Sequence, residues 1–131
     1  MNIDSILIAE YASVDRDGRL TVVNSFNQIT GPGPKWTIAM LALSIVIHGH
    51  SEEAETDHQG ELRLINESRE VVKTMPFEVK FPKATVPGLP VRFIATLRSV
   101  GATFDAPGLY AFEVYIDGIY MAAASLVVVQ G

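Results

Sequence analysis

The sequence predicts an all-β fold, an antiparallel two-sheet sandwich of seven to nine strands, immunoglobulin-like or Greek-key in type. Three observations predict it. Apolar and polar residues alternate with period two in several runs, which puts successive side chains on opposite faces of a half-buried strand. Clusters of Gly, Pro, Asp and Asn separate those runs and supply turn chemistry. No window carries an i, i+3, i+4, i+7 apolar stripe between caps, so no substantial helix is expected.

The runs follow in order. The first, 4–13, stops at Asp15-Arg16-Asp17-Gly18, and the second, 19–29, stops before Gly31-Pro32-Gly33-Pro34. The third, 36–48, holds the longest apolar stretch, Trp36 to Ile47, interrupted only by Thr37 and Ser44. A membrane-spanning helix needs about 20 residues, so a long buried strand fits this stretch better. Glu61-Leu62-Arg63-Leu64 alternates within the fourth run, 60–66, and the turn Asn66-Glu67-Ser68 leads to the fifth, 70–80. Beyond Val86-Pro87-Gly88-Leu89-Pro90 the sixth run, 91–100, sets Val91, Phe93, Ala95 and Leu97 against Arg92, Thr96 and Arg98. Asp105-Ala106-Pro107-Gly108 opens the seventh, 108–117, and Asp117-Gly118 joins it to the eighth, 119–129, as a two-residue hairpin. Leu41–Ile47 and Leu126–Val129 are apolar on both faces, as in a central strand or one covered by a partner.

At 131 residues the chain is expected to form one domain, 1–131. With 48% hydrophobic and 19% charged residues it can pay for an ordered core, which excludes intrinsic disorder. No cysteine is present, so a disulfide scaffold, thiol catalysis and Cys-ligated metal sites are excluded. Fifteen acids against ten bases give a net charge of −5, which argues against a nucleic-acid or anionic-membrane partner. The opening Met1-Asn2-Ile3-Asp4-Ser5 has no basic residue, and the apolar stretch after it breaks at Glu10. A secretory leader is therefore not expected, and the cytoplasm is the default location.

Ala9-x-Tyr11-Ala12, then Asp17-Gly18-x-Leu20-x-Val22, and the closing Pro107-Gly108-Leu109-Tyr110-Ala111-Phe112-Glu113-Val114-Tyr115-Ile116-Asp117-Gly118 resemble the two ends of a bacterial family of small uncharacterised single-domain proteins. The likeness departs at Asn24-Ser25-Phe26-Asn27, where that family would have a Gly-rich stretch. It implies a β-sandwich and carries no activity. Tyr110, at the start of a penultimate strand after a Gly turn, is similar to the tyrosine corner of Greek-key sandwiches, whose hydroxyl bonds upstream backbone. Ala106 stands where such corners carry an acid, so placement by strand alternation alone is the other reading.

All three histidines fall between positions 48 and 58. His48 and His50, two apart on a strand, would face the same way, and with His58 and the neighbouring acids they form a candidate metal set. A small cupin-type barrel places such a pair after a strand, but no histidine follows His58 to complete its second motif. Glu52, Glu53, Glu55, Asp57 and Glu61 are accompanied by no Lys or Arg between 51 and 61, so the whole −5 resides in this connection. A solvated, mobile tip over 51–60 is the expectation. Lys80, Lys83, Arg92 and Arg98 would gather on one face if the fifth and sixth runs paired, as a solvated edge.

No G-x-S-x-G elbow and no phosphate-binding glycine loop occurs, so no cofactor and no catalytic set is assigned. The favoured reading is a non-enzymatic binding or assembly module that forms a homo-oligomer or takes a protein partner. Trp36, Met121, Val127 and Val129 are its candidate interface residues, because strand surface exceeds what one small core absorbs. The alternatives are a metal-dependent small-barrel enzyme centred on His48, His50 and His58, or a virion or surface decoration protein.

Overall fold

The computed structural model describes residues 1–38, 41–98 and 100–131. Its strands are β1 (Asn2–Val14), β2 (Leu20–Ser25), β3 (Gln28–Gly31), β4 (Trp36–Ile38), β5 (Ala42–Gly49), β6 (Asp57–Ile65), β7 (Val71–Lys80), β8 (Val91–Leu97), β9 (Ala102–Phe104), β10 (Gly108–Ile116) and β11 (Ile119–Gln130). One 3₁₀ turn, Ser51–Glu53, is the only helical element among the described residues. A four-stranded sheet in the order β2-β1-β5-β8 packs against a five-stranded sheet in the order β3-β11-β10-β6-β7, with β4 and β9 as a separate pair. Every pairing is antiparallel except β3 with β11.

The core lies between the sheets. Leu43, Ile45 and Ile47 point in from β5, and Leu62 and Leu64 from β6. Phe112, Val114, Ile116, Leu126 and Val128 come from β10 and β11. These are the alternate positions that the period-two pattern assigns to one face.

Among the described residues eleven strands replace the expected seven to nine because long runs divide. The run 19–29 leaves one sheet for the other at Phe26-Asn27: the Phe26 N–H donates to the Ile8 carbonyl (2.9 Å), and the Val127 N–H donates to the Asn27 carbonyl (2.9 Å). One stretch of sequence thus supplies a strand to each layer. The run 36–48 yields β4 and β5, while β9 comes from a stretch not read as strand. Leu41 and Val100 exchange both backbone hydrogen bonds between the β4–β9 and β5–β8 pairings. Ala39 and Met40, part of the two-faced apolar run, lie outside the described residues.

The β5 side chains on the face away from the core, Ala42, Ser44 and Val46, are buried too. The distal part of the first hairpin covers them. Tyr11 lies with its ring 5.9 Å from the Arg98 guanidinium carbon, and Val14 and Gly18 line one groove with Arg92, Phe93 and Ile94 of β8. The strand apolar on both faces is therefore covered from within the chain, with no second copy required for it.

Two expected turns are present in detail. Asp117 (φ 52°) and Gly118 (φ 79°) both hold positive φ, as a two-residue hairpin turn matching strand twist demands. The Tyr110 hydroxyl donates to the Ala106 carbonyl at 2.6 Å, so the corner closes on backbone and needs no acid at position 106.

Candidate functional site

The three histidines are held apart. His48 stands in β5 of the four-stranded sheet, cross-strand from Asn2 and Arg92, with Nδ1 against the Asp4 carboxylate. His50 follows the end of β5 at Gly49 and precedes the 3₁₀ turn, where its backbone N–H donates to the Glu53 carboxylate (2.9 Å). His58 belongs to β6, in the other sheet. The same-face argument for His48 and His50 requires a strand through both, and β5 ends between them. Among the described residues no group of three or more His, Asp or Glu side chains is arranged to hold a metal ion.

The acidic connection is a packed turn, contrary to the expected mobile tip. The Glu55 N–H donates to the Pro82 carbonyl (3.2 Å) and the Phe81 N–H to the Thr56 carbonyl (3.1 Å), while Ala54 packs on the core. Asp57, His58 and Gln59 already belong to β6. The His50 N–H holds the Glu53 carboxyl below its ordinary range. Acid-only composition concealed this because the anchors are backbone groups, which composition does not report.

His58 sits at the centre of a hydroxyl–imidazole–carboxylate array that sequence reading missed. Its Nδ1 donates to Asp117 Oδ2 (2.7 Å), its Nε2 lies 2.8 Å from Thr56 Oγ1, and its ring meets Phe81 edge-on at 5.7 Å. The order mimics a nucleophile–base–carboxylate triad. However, the Thr56 hydroxyl donates its one hydrogen to the Glu53 carbonyl (2.5 Å), so that hydrogen is not offered to the imidazole. Asp117 also accepts from the Gln59 N–H (3.1 Å). The array pins the 51–59 segment to the last hairpin.

This latch gives a pH prediction. The His58 ring, followed by the Gln59 N–H, holds the Asp117 carboxyl below its ordinary value. A depressed folded-state pKa contributes stability that is present above the unfolded-state pKa and lost as pH falls through the folded one. Urea midpoints should therefore fall on acidification below about pH 4, the ordinary Asp range. They should fall less for Asp117→Asn; an equal fall in both chains would remove Asp117 from the account.

The outer face of the five-stranded sheet is unusually apolar at one end. Leu109 (49% exposed) and Val127 (38%) are cross-strand partners on it, with Val129 two residues beyond Val127 partly exposed and Val71 (54%) exposed two strands away on β7. Next to them, on the same face, Glu113 is only 5% exposed. Arg69 Nη1 reaches its carboxylate at 3.0 Å, and the Tyr115 hydroxyl donates to it at 2.9 Å. That bond to Glu113 raises the Tyr115 pKa. The Arg63 guanidinium lies 3.9 Å over the Tyr115 ring and pairs with Glu61. Of the other candidate interface residues, Met121 packs against the core, and Trp36 packs on Phe104 (ring centroids 5.7 Å apart).

A second surface feature is a groove of about 460 Å³ beside the first hairpin. Lys80, Lys83 and Arg92 line it over Val14, Phe93 and Ile94. The expected route, pairing of the fifth and sixth runs, does not occur, because β7 and β8 lie in different sheets. The overfolded hairpin supplies the missing wall.

No helix among the described residues is long and apolar enough to cross a membrane. The sequence matches the model of a family of unknown function, DUF6941, over residues 4–129, whereas the likeness read from sequence lay at the two ends. No curated protein matches the chain.

Proposed function

We propose, for a chain that belongs to the family of unknown function DUF6941, that it works as a non-enzymatic assembly module which associates with a second copy of itself. The exposed Leu109–Val127 pair carries this reading. Two apolar side chains opposite each other on a sheet face, with Val129 two residues along the same strand, give an apolar patch rather than a single exposed residue. A second copy about a two-fold axis presents the same patch in return, the commonest symmetry by which such a face is covered. Arg69 and Glu113 are paired beside it, and the Glu67 carboxylate at its edge accepts from the Leu109 N–H at 2.6 Å.

Sedimentation velocity across the micromolar range tests the proposal. The wild-type chain should shift from monomer to dimer with concentration, and the double variant Leu109→Lys/Val127→Lys should remain monomeric with its thermal midpoint little changed. A wild-type chain that stays strictly monomeric would overturn it, and so would a double variant that dimerises as well as wild type.

A further inference from the structure

The groove beside the first hairpin has a composition that neither the core nor the dimer face requires. Ten bases serve the whole chain, whose net charge is −5, yet Lys80, Lys83 and Arg92 line one concavity to which no acid contributes. Among the described residues neither Lys83 nor Arg92 is ion-paired, and Lys80 is held from one side by Glu78 at 3.5 Å. Three like charges drawn together repel, and an anion seated among them relieves that repulsion. The walls between the cations are apolar: Val14 from the hairpin, Pro82 and Pro90 from the connection before β8, and Phe93 and Ile94 from β8 itself.

We infer that this groove binds a small amphiphile, an oxyanion carried on an apolar body. Size supports a small molecule over a protein surface: about 460 Å³ lies within the roughly 300–1,000 Å³ usual for small-molecule sites. Chemistry supports the oxyanion. The planar guanidinium of Arg92 matches carboxylate and phosphate alike, and the two ammonium groups add charge without fixing geometry. The apolar walls give the rest of the molecule a place out of water, so neither an inorganic anion nor a neutral hydrocarbon satisfies the whole groove.

Titration calorimetry below micellar concentration tests this with four probes: dodecanoate, dodecyl phosphate, acetate and dodecyltrimethylammonium. Either or both of the first two should bind, more weakly as salt rises, and their relative affinities identify carboxylate or phosphate as the preferred head group. Acetate and the cationic amphiphile should bind far less. The double variant Lys83→Gln/Arg92→Gln should keep its thermal midpoint and lose affinity roughly tenfold or more, the scale of a lost charge-assisted hydrogen bond. Val14→Asp should weaken binding too, by placing a carboxylate among the apolar groups. Three results would overturn the inference: no binding of either anionic amphiphile, equal binding by the double variant, or binding of the cationic amphiphile as tight as the anionic ones. An acidic peptide that binds the groove while both anionic amphiphiles fail would likewise refute the small-molecule assignment.

Discussion

Replacing Phe104 with alanine is expected to cost about 3–5 kcal/mol, the usual range for truncating a fully buried aromatic ring. Phe104 has no exposed surface and lies where three parts of the chain meet. It pairs with Trp36 across β4 and β9, and it packs edge-on against Tyr110 with centroids 4.9 Å apart. Edge-to-face pairs add to area burial because the positive rim of one ring meets the negative face of another. Neighbouring groups are poorly placed to collapse into the gap. Trp36 lies over Gly31, and Tyr110 is tethered through its hydroxyl to the Ala106 carbonyl. A domain holds only about 5–15 kcal/mol in total, so a loss of this size removes a large share of it. Urea unfolding should show a lower midpoint with an unchanged slope. A cost under about 1 kcal/mol, the size of a surface change, would mean that the β4–β9 ribbon is not part of the core.

What was legible in the sequence follows from how local its cause is. The last hairpin was legible because its turn needs positive φ at two adjacent positions, and Asp117-Gly118 supplies both. Core faces were legible because burial and alternation share a period, as in Leu62 and Leu64 or Phe112 and Val114. The crossing at Phe26-Asn27 was not, since no Gly or Pro marks it and what changes there is the sheet that supplies the hydrogen-bond partners. The parallel pairing of Gln28–Gly31 with Val127–Gln130 leaves no local trace either, as its two halves lie at opposite ends of the sequence. The candidate sites divide in the same way. The Asp117 side of the His58 latch and the hairpin wall of the cationic groove both come from segments remote in sequence. The exposed Val127 was visible in advance because a strand with two apolar faces shows one of them wherever nothing covers it. For β5 the same argument identified the second apolar face and failed on its cover, since nothing local shows the first hairpin folding over it.

Gly31 is the sharpest case of a residue whose role is tertiary, and Gly31→Ala has the second large expected effect. Within Gly31-Pro32-Gly33-Pro34 it reads as turn chemistry. In the fold it ends β3 and is buried, and a Cβ added there would stand 1.7 Å from Trp36 Nε1 and 1.9 Å from Cε2. No rotation within the indole removes contacts that short, so the ring must leave its place against Phe104 or the backbone must shift. The backbone is held by the end of β11: Gly31 is registered with Gln130, and its carbonyl accepts from the Gly131 N–H at 2.9 Å. Overpacking a core ordinarily costs about 1–3 kcal/mol, and a collision with a rigid aromatic ring belongs at the upper end. The chain has one tryptophan, so its fluorescence reports the displacement directly. Gly31→Ala should redshift the emission as the indole becomes more exposed, and it should lower the urea midpoint. The double-mutant cycle with Trp36→Ala separates collision from any general dislike of alanine at this position. With the ring gone, adding the methyl group should cost little, so the two substitutions should be strongly non-additive. Additive costs together with an unshifted spectrum would show that the indole does not rest on Gly31.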